Sequence, residues 1–123
     1  MKKIFVIFFC MLFAFTTKAQ LENTSWSATF YIPDAMPMVL QFKTDMLVLK
    51  VAETGDNFEV MHYTIKNDTL SYTKISGNSD CGPEQKAVYK IEIKDDLLFL
   101  TVINDECEGR ANATPAEGFK KIL

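Results

Sequence analysis

The stretch that decides the fold runs from Ser79 to Arg110, S-D-C-G-P-E-Q-K-A-V-Y-K-I-E-I-K-D-D-L-L-F-L-T-V-I-N-D-E-C-E-G-R. It reads as two β-strands meeting at the polar turn Lys94-Asp95-Asp96, with one cysteine beyond each open end. With Asp95 and Asp96 at the turn centre, Ile93 faces Leu98, Ile91 faces Leu100 and Tyr89 faces Val102. All six are apolar and share one face. Lys90, Glu92 and Thr101 fall on the other face, where Phe99 is the one apolar exception. A slip of one residue would carry every side chain to the opposite face, so the pattern itself sets the register.

The same reasoning extends outward along the chain. Trp26 to Ile32 alternates, with Trp26, Ala28, Phe30 and Ile32 against Ser27, Thr29 and Tyr31. Pro33 and Pro37 are expected to close that strand and confine the residues between them to a connection. Met38–Lys43 and Met46–Val51 pair about Thr44-Asp45, setting Phe42 opposite Leu47, Leu40 opposite Leu49 and Met38 opposite Val51. Phe58–Lys66 and Thr69–Ile75 meet at Asn67-Asp68, setting Tyr63 opposite Tyr72 and Ile65 opposite Leu70. Neither this turn nor the one at Asp95-Asp96 has glycine, but Asn and Asp tolerate the left-handed backbone that a type I′ turn requires. A long polar connection, Asn104 to Gly118, precedes a last strand, Phe119 to Leu123. No convincing amphipathic helix is visible.

Eight sequential antiparallel strands leave two edges unless the sheet closes on itself. The expected fold is therefore all-β, an eight-stranded antiparallel up-and-down barrel, with an open sandwich as the alternative. Its inner face would carry Trp26, Phe30, Ile32, Leu40, Phe42, Leu47, Leu49, Val51, Tyr63, Ile65, Leu70, Tyr72, Tyr89, Ile91, Ile93, Leu98, Leu100 and Val102. Barrels of this size are either just filled by side chains or hold one small ligand. The shortness of most strands points to a mostly filled core.

The chain begins with a leader. Lys2 and Lys3, the apolar run Ile4–Phe15 and the small residues of Thr17-Lys18-Ala19 read as a secretory signal peptide spanning residues 1–19. Twelve apolar residues are fewer than the roughly 20 that span a bilayer, so no membrane insertion is expected after cleavage. Residues 20–123 then form one domain, secreted or periplasmic. Removing three lysines and no acid moves the formal charge from −3 to −6. An acidic chain without a basic cluster argues against nucleic acid as a partner.

Two cysteines remain, Cys81 and Cys107, in an exporting context that permits oxidation. We expect a disulfide between them, contributing about 3.5 kcal/mol through the unfolded state. A straight continuation of the hairpin register puts Arg110 opposite Cys81, so a bend or bulge near Gly82-Pro83 must absorb the offset.

No catalytic set and no metal site can be assembled. His62, the only histidine, shares the outer face with Val60 and Thr64. Asp105, Glu106 and Glu108 match no calcium-loop spacing and read as a solvated acidic segment. No cofactor is implied, and the chain does not read as an enzyme. Trp26 and Arg110 have two readings: a cation–π stack where the barrel closes, or a core tryptophan beside an arginine paired with Asp80 or Asp105.

Cys81 through Arg110 carries the pattern C-x(7)-Y-x-I…L-x-L-x-x-I-x-D-x-C-x-G-R, which resembles that of small bacterial lipocalin-like secreted proteins. Leu21-Glu22-Asn23-Thr24-Ser25-Trp26 is similar to the G-x-W strand that opens lipocalins, with Thr24 in the place of the glycine. The resemblance implies a calycin-type barrel that closes near Trp26 and Arg110 and encloses an apolar ligand. Two functions are expected on these grounds. One is binding of a small apolar or amphipathic molecule, with Phe42 on the inner face and Tyr63, Tyr72 and Tyr89 orienting it by their hydroxyls. The other is a protein-interaction module, such as a periplasmic inhibitor of an envelope hydrolase, acting through Asn104–Gly118.

Overall fold

The computed structural model describes residues 18–31 and 34–122. A short helix α1 (Lys18–Leu21) leads into β1 (Thr24–Tyr31), β2 (Ala35–Phe42), β3 (Met46–Val51), β4 (Asn57–Lys66), β5 (Thr69–Gly77), β6 (Ala87–Lys94) and β7 (Leu97–Asp105). A second helix, α2 (Glu108–Ala113), precedes the three-residue strand β8 (Phe119–Lys121). The strands form a closed antiparallel barrel in sequence order. Residues 1–17 of the leader, Ile32, Pro33 and Leu123 lie outside the described residues.

The registers follow the apolar pattern. Ile93 pairs with Leu98, Ile91 with Leu100 and Tyr89 with Val102. Phe42 pairs with Leu47, Leu40 with Leu49 and Met38 with Val51. Tyr63 pairs with Tyr72 and Ile65 with Leu70. The turns at Asn67-Asp68 and Asp95-Asp96 place all four residues at positive φ, between 49° and 67°, as two-residue hairpin loops of the primed type require. Pro37 departs from expectation and lies inside β2, opposite Thr29. It can do so because β2 pairs with β3 only from Met38 onward, so Pro37 has a ladder partner on one side alone.

The barrel is filled at one end and hollow at the other. At the base, where β1 begins, Leu21, Trp26, Phe42, Tyr63 and Leu70 are buried together in the core. Phe42 meets Tyr63 edge-on, with ring centroids 5.4 Å apart. Asn23, at a positive φ of 65°, turns α1 onto this end and donates its N–H to Phe42 O. The Thr24 hydroxyl then accepts the Trp26 indole N–H at 2.8 Å and donates to Leu21 O, leaving the buried indole satisfied.

Two residues expected inside are largely exposed, Ile93 at 38% and Val102 at 48%. Ile93 overhangs β5, whose pairing with β6 stops at Lys90. Val102 lies beyond the reach of β8, which pairs with β7 only at Leu97 and Leu98. Met38, Met61, Ala87 and Phe119 join the core in addition to the expected set.

Closure therefore depends on a very short seam. β8 adds two pairs to β7 and two to β1, namely Trp26 with Lys121 and Ser27 with Lys120. Phe119 anchors it, buried and edge-on to Phe30 with centroids 5.9 Å apart. Truncating Phe119 to alanine is expected to cost about 3–5 kcal/mol, read as a lowered midpoint in urea unfolding followed by circular dichroism.

Candidate functional site

Three one-residue register shifts fall at the same end of the barrel, between Leu49 and Lys50, Val60 and Met61, and Val88 and Tyr89. Shifts of this kind bend strands and re-aim side chains at barrel rims. The third matters most. It leaves Ile103 without a partner and brings Asp105 opposite Ala87, turning inward a carboxylate that strict alternation would have placed outside.

The Asp105 side chain is covered from solvent and holds Arg110 of α2 through several contacts. Arg110 Nε donates to its two oxygens at 3.0 and 3.1 Å, and Nη2 donates to Oδ1 at 2.8 Å. Tyr89 donates its hydroxyl to Oδ2 at 2.6 Å, and the Cys107 N–H reaches Oδ1 at 2.8 Å. Burial alone would raise the Asp105 pKa, but these donors outweigh it and hold the carboxyl below its ordinary value. Burial, and next the bond to Asp105, raises Tyr89 to about 12, so its hydroxyl stays a donor at neutral pH. Arg110 also lies over the Tyr72 ring at 5.1 Å, and Tyr72 stacks on Tyr89 with centroids 5.8 Å apart.

On the adjoining wall Glu59 is buried on the inner face of β4, opposite Gly77. Gly77 has φ +144°, and a Cβ there would collide with the Glu59 carboxylate and backbone. Glu59 accepts from the Ser79 N–H at 3.2 Å and from the Ser79 hydroxyl. Lys74 Nζ lies 4.0 Å from Glu59 and donates to Ser79 O and Cys81 O at 2.8 and 3.1 Å. One ion pair thus anchors the loop that carries Cys81, and the other anchors the segment that carries Cys107. The disulfide joins the two, with Cα atoms 5.6 Å apart. Both cysteines lie outside the strands, which is how the offset in the hairpin register is absorbed.

Between these walls lies a cavity of about 260 Å³. Phe30, Leu40, Leu47, Leu49, Phe58, Met61, Leu100 and Phe119 supply its apolar surface. Tyr72, Glu59, Ser79, Asp80, Arg110, Thr114 and the disulfide lie at its rim, with Asn78, Gly109 and Ala113 beside them. Arg110 Nη1 is buried and has no hydrogen-bond partner among the described residues.

The residues singled out from the sequence divide between the two ends. Tyr72 lines the cavity and Tyr89 stands behind it, holding Asp105. Tyr63 donates its hydroxyl to Lys43 O at 2.5 Å, at the base, where Phe42 also sits. Trp26 stands at the seam, with Lys121 Nζ 6.0 Å from its ring centre. Arg110 is not its partner. Of the two readings of that arginine, pairing with Asp105 is the one observed.

Glu59, Lys74 and α2 were missed. Glu59 does leave a signal, an acid in step with Met61 and Tyr63 on the apolar face of its strand. Asp105 leaves none, because only the register shift turns it inward. His62 is exposed on the outer face, and no group of three or more metal-ligating side chains occurs among the described residues. No family model, curated protein or solved structure matches the chain.

Two outcomes follow from this geometry. Because the folded Asp105 pKa is depressed, the unfolded chain takes up the proton first as pH falls. The stability due to this pair is therefore complete above the ordinary carboxyl pKa and lost as pH drops through the folded value. Asp105→Asn should cost about 3–5 kcal/mol at neutral pH by stranding a buried guanidinium. It should also flatten the acid limb of stability, measured by urea unfolding from neutral pH to pH about 3. Gly77→Ala should displace Glu59 and loosen the Ser79–Cys81 loop, seen as faster amide exchange at Ser79 and Cys81.

Proposed function

We propose that this chain is an exported, lipocalin-like barrel that binds one small, mostly apolar molecule in the cavity at its open end. The observation that carries this reading is the cavity itself. A barrel this small can be filled completely by its own side chains, and this one is filled only at the base. The upper half keeps an apolar hollow with a few polar groups at the rim, the usual composition of a ligand site. At about 260 Å³ it lies just under the common range of roughly 300–1,000 Å³, which favours a short ligand.

Export is supported by the leader pattern and by a disulfide, which persists in oxidising compartments. Among the described residues no helix is long and apolar enough to cross a membrane. The protein-interaction reading needs Asn104–Gly118 to protrude as a loop. The segment instead folds onto the barrel end, with Cys107, Pro115 and Gly118 buried and α2 packed beside β7.

Native mass spectrometry of the protein purified without reduction tests the proposal. The expected result is a bound small molecule that leaves on denaturation, with an intact mass matching a chain that starts at Gln20. Met61→Trp, which places a large ring in the cavity, should reduce that bound fraction at least about tenfold while circular dichroism stays unchanged. A wild-type protein that is empty and monomeric would point to a protein partner instead.

A further inference from the structure

The barrel ladder is interrupted at one place. β8 lies between β1 and β7 and pairs with both, so its line is one strand wide, with the flanking strands roughly 9.5 Å apart. Its pairing with β7 ends toward the mouth at Phe119 and Leu98. At Gly118, with φ +93°, the chain leaves that line, and Ala116-Glu117 form a turn. Thr114 is bound at the mouth by Arg110 O. Among the described residues no backbone hydrogen bond ties the segment 113–118 to β7. Above β8, Thr29–Tyr31 of β1 and Phe99–Ile103 of β7 therefore border a slot, each with a ladder on its far side only.

Exposure shows that the slot is open. Val102 pairs with Tyr89 and shares its inward face, yet Tyr89 is 1% exposed and Val102 48%. The difference is solvent reaching Val102 from the β8 side. Ile103 at the register shift is exposed, as are Thr101 and Asn104. Open edges are normally blunted by charge or proline. Other single-sided stretches follow that rule, with Pro37 in β2, Lys74 in β5, and Glu92 and Lys94 in β6. β7 has neither a charged residue nor a proline from Leu97 to Asn104. Its free edge is left competent for pairing.

The width of the slot decides what can enter. A second folded barrel would bring a strand already flanked by its own neighbours, and there is room for one strand only. An extended segment fits, because both of its edges are free to bond. Phe30 and Leu100 face inward from the two walls, beside Val102, so every second side chain of the occupant should be apolar. A segment running in the direction of β8, antiparallel to both walls, starts near the mouth. Glu106 and Glu108 are exposed there, at the end of β7.

We propose that this slot docks an extended segment of a partner protein by strand addition between β1 and β7. The segment is uncharged and alternately apolar along the free edge, and is preceded by lysine or arginine that meets the acids at the mouth. This interaction does not depend on the cavity holding a small molecule.

The probe is the acetylated, amidated peptide K-K-T-V-T-V-T, and its control K-K-T-V-P-V-T keeps the charge but removes one backbone donor. Each is titrated into the ¹⁵N-labelled, disulfide-intact protein at neutral pH. The first should shift the amides of Thr29–Tyr31 and Phe99–Ile103 and slow their exchange, and the control should bind at least about tenfold more weakly. Val102→Lys, at an exposed position, should weaken the first peptide at least about tenfold. Ile75→Lys, equally exposed on β5, should leave it unchanged, with circular dichroism confirming both folds. Equal affinity for the two peptides, or binding indifferent to Val102→Lys, would overturn strand addition. Shifts confined to Leu40, Leu47 and Met61 would assign the peptide to the cavity and overturn the slot, and so would absence of binding.

Discussion

The mouth of the barrel rests on a buried ion pair that ties α2 to the end of β7. β8 spans three residues, so the upper parts of β1 and β7 have no ladder between them. Asp105 at the end of β7 holds Arg110 of α2, and Arg110 in turn reaches Gln85 O ahead of β6 and stacks on Tyr72 of β5. A carboxylate and a guanidinium taken out of water cost several kcal/mol each. Here that cost is offset by dense hydrogen bonding on Asp105 and by a neighbouring disulfide that limits where α2 can go.

The two ends of the barrel divide the labour. The base is closed by apolar side chains and by two hydroxyls, that of Thr24, which satisfies Trp26, and that of Tyr63, which donates to Lys43 O. The mouth is held by two ion pairs and a covalent bond, and the cavity survives because those links fix its rim. Had Glu59 and Asp105 been leucines, the natural outcome would be further inward packing. Charged groups that must keep their partners cannot collapse into a hollow in that way.

How much of this was legible in the sequence depended on whether a feature was periodic. The pairings of Ile91 with Leu100, Leu40 with Leu49 and Tyr63 with Tyr72 follow from alternation, because a wrong register would bury charge. Alternation fails where the ladder shifts by one residue, and all three shifts lie at the mouth. The candidate site was for that reason the least readable part of the chain. Tyr63 and Tyr89 share an inward face with Tyr72, but period-two reasoning does not say at which height along the axis each hydroxyl finds its partner. Helix α2 was unreadable for a different cause. Six residues with a glycine in the first turn do not form a helix alone, and this one is held by Cys107 at its start and Arg110 at its middle.

The short seam also orders events in time. The hairpins at Asn67-Asp68 and Asp95-Asp96 close loops of two residues and can form independently, whereas the pairing of Trp26 with Lys121 joins opposite ends of the domain. Loop closure costs more entropy the farther apart the partners lie, and non-local pairings slow folding. The seam is therefore the natural last step, and it can begin only when the final few residues are present. Until then the chain is a curved sheet with two exposed edges, the state in which it is most open to pairing with a neighbour.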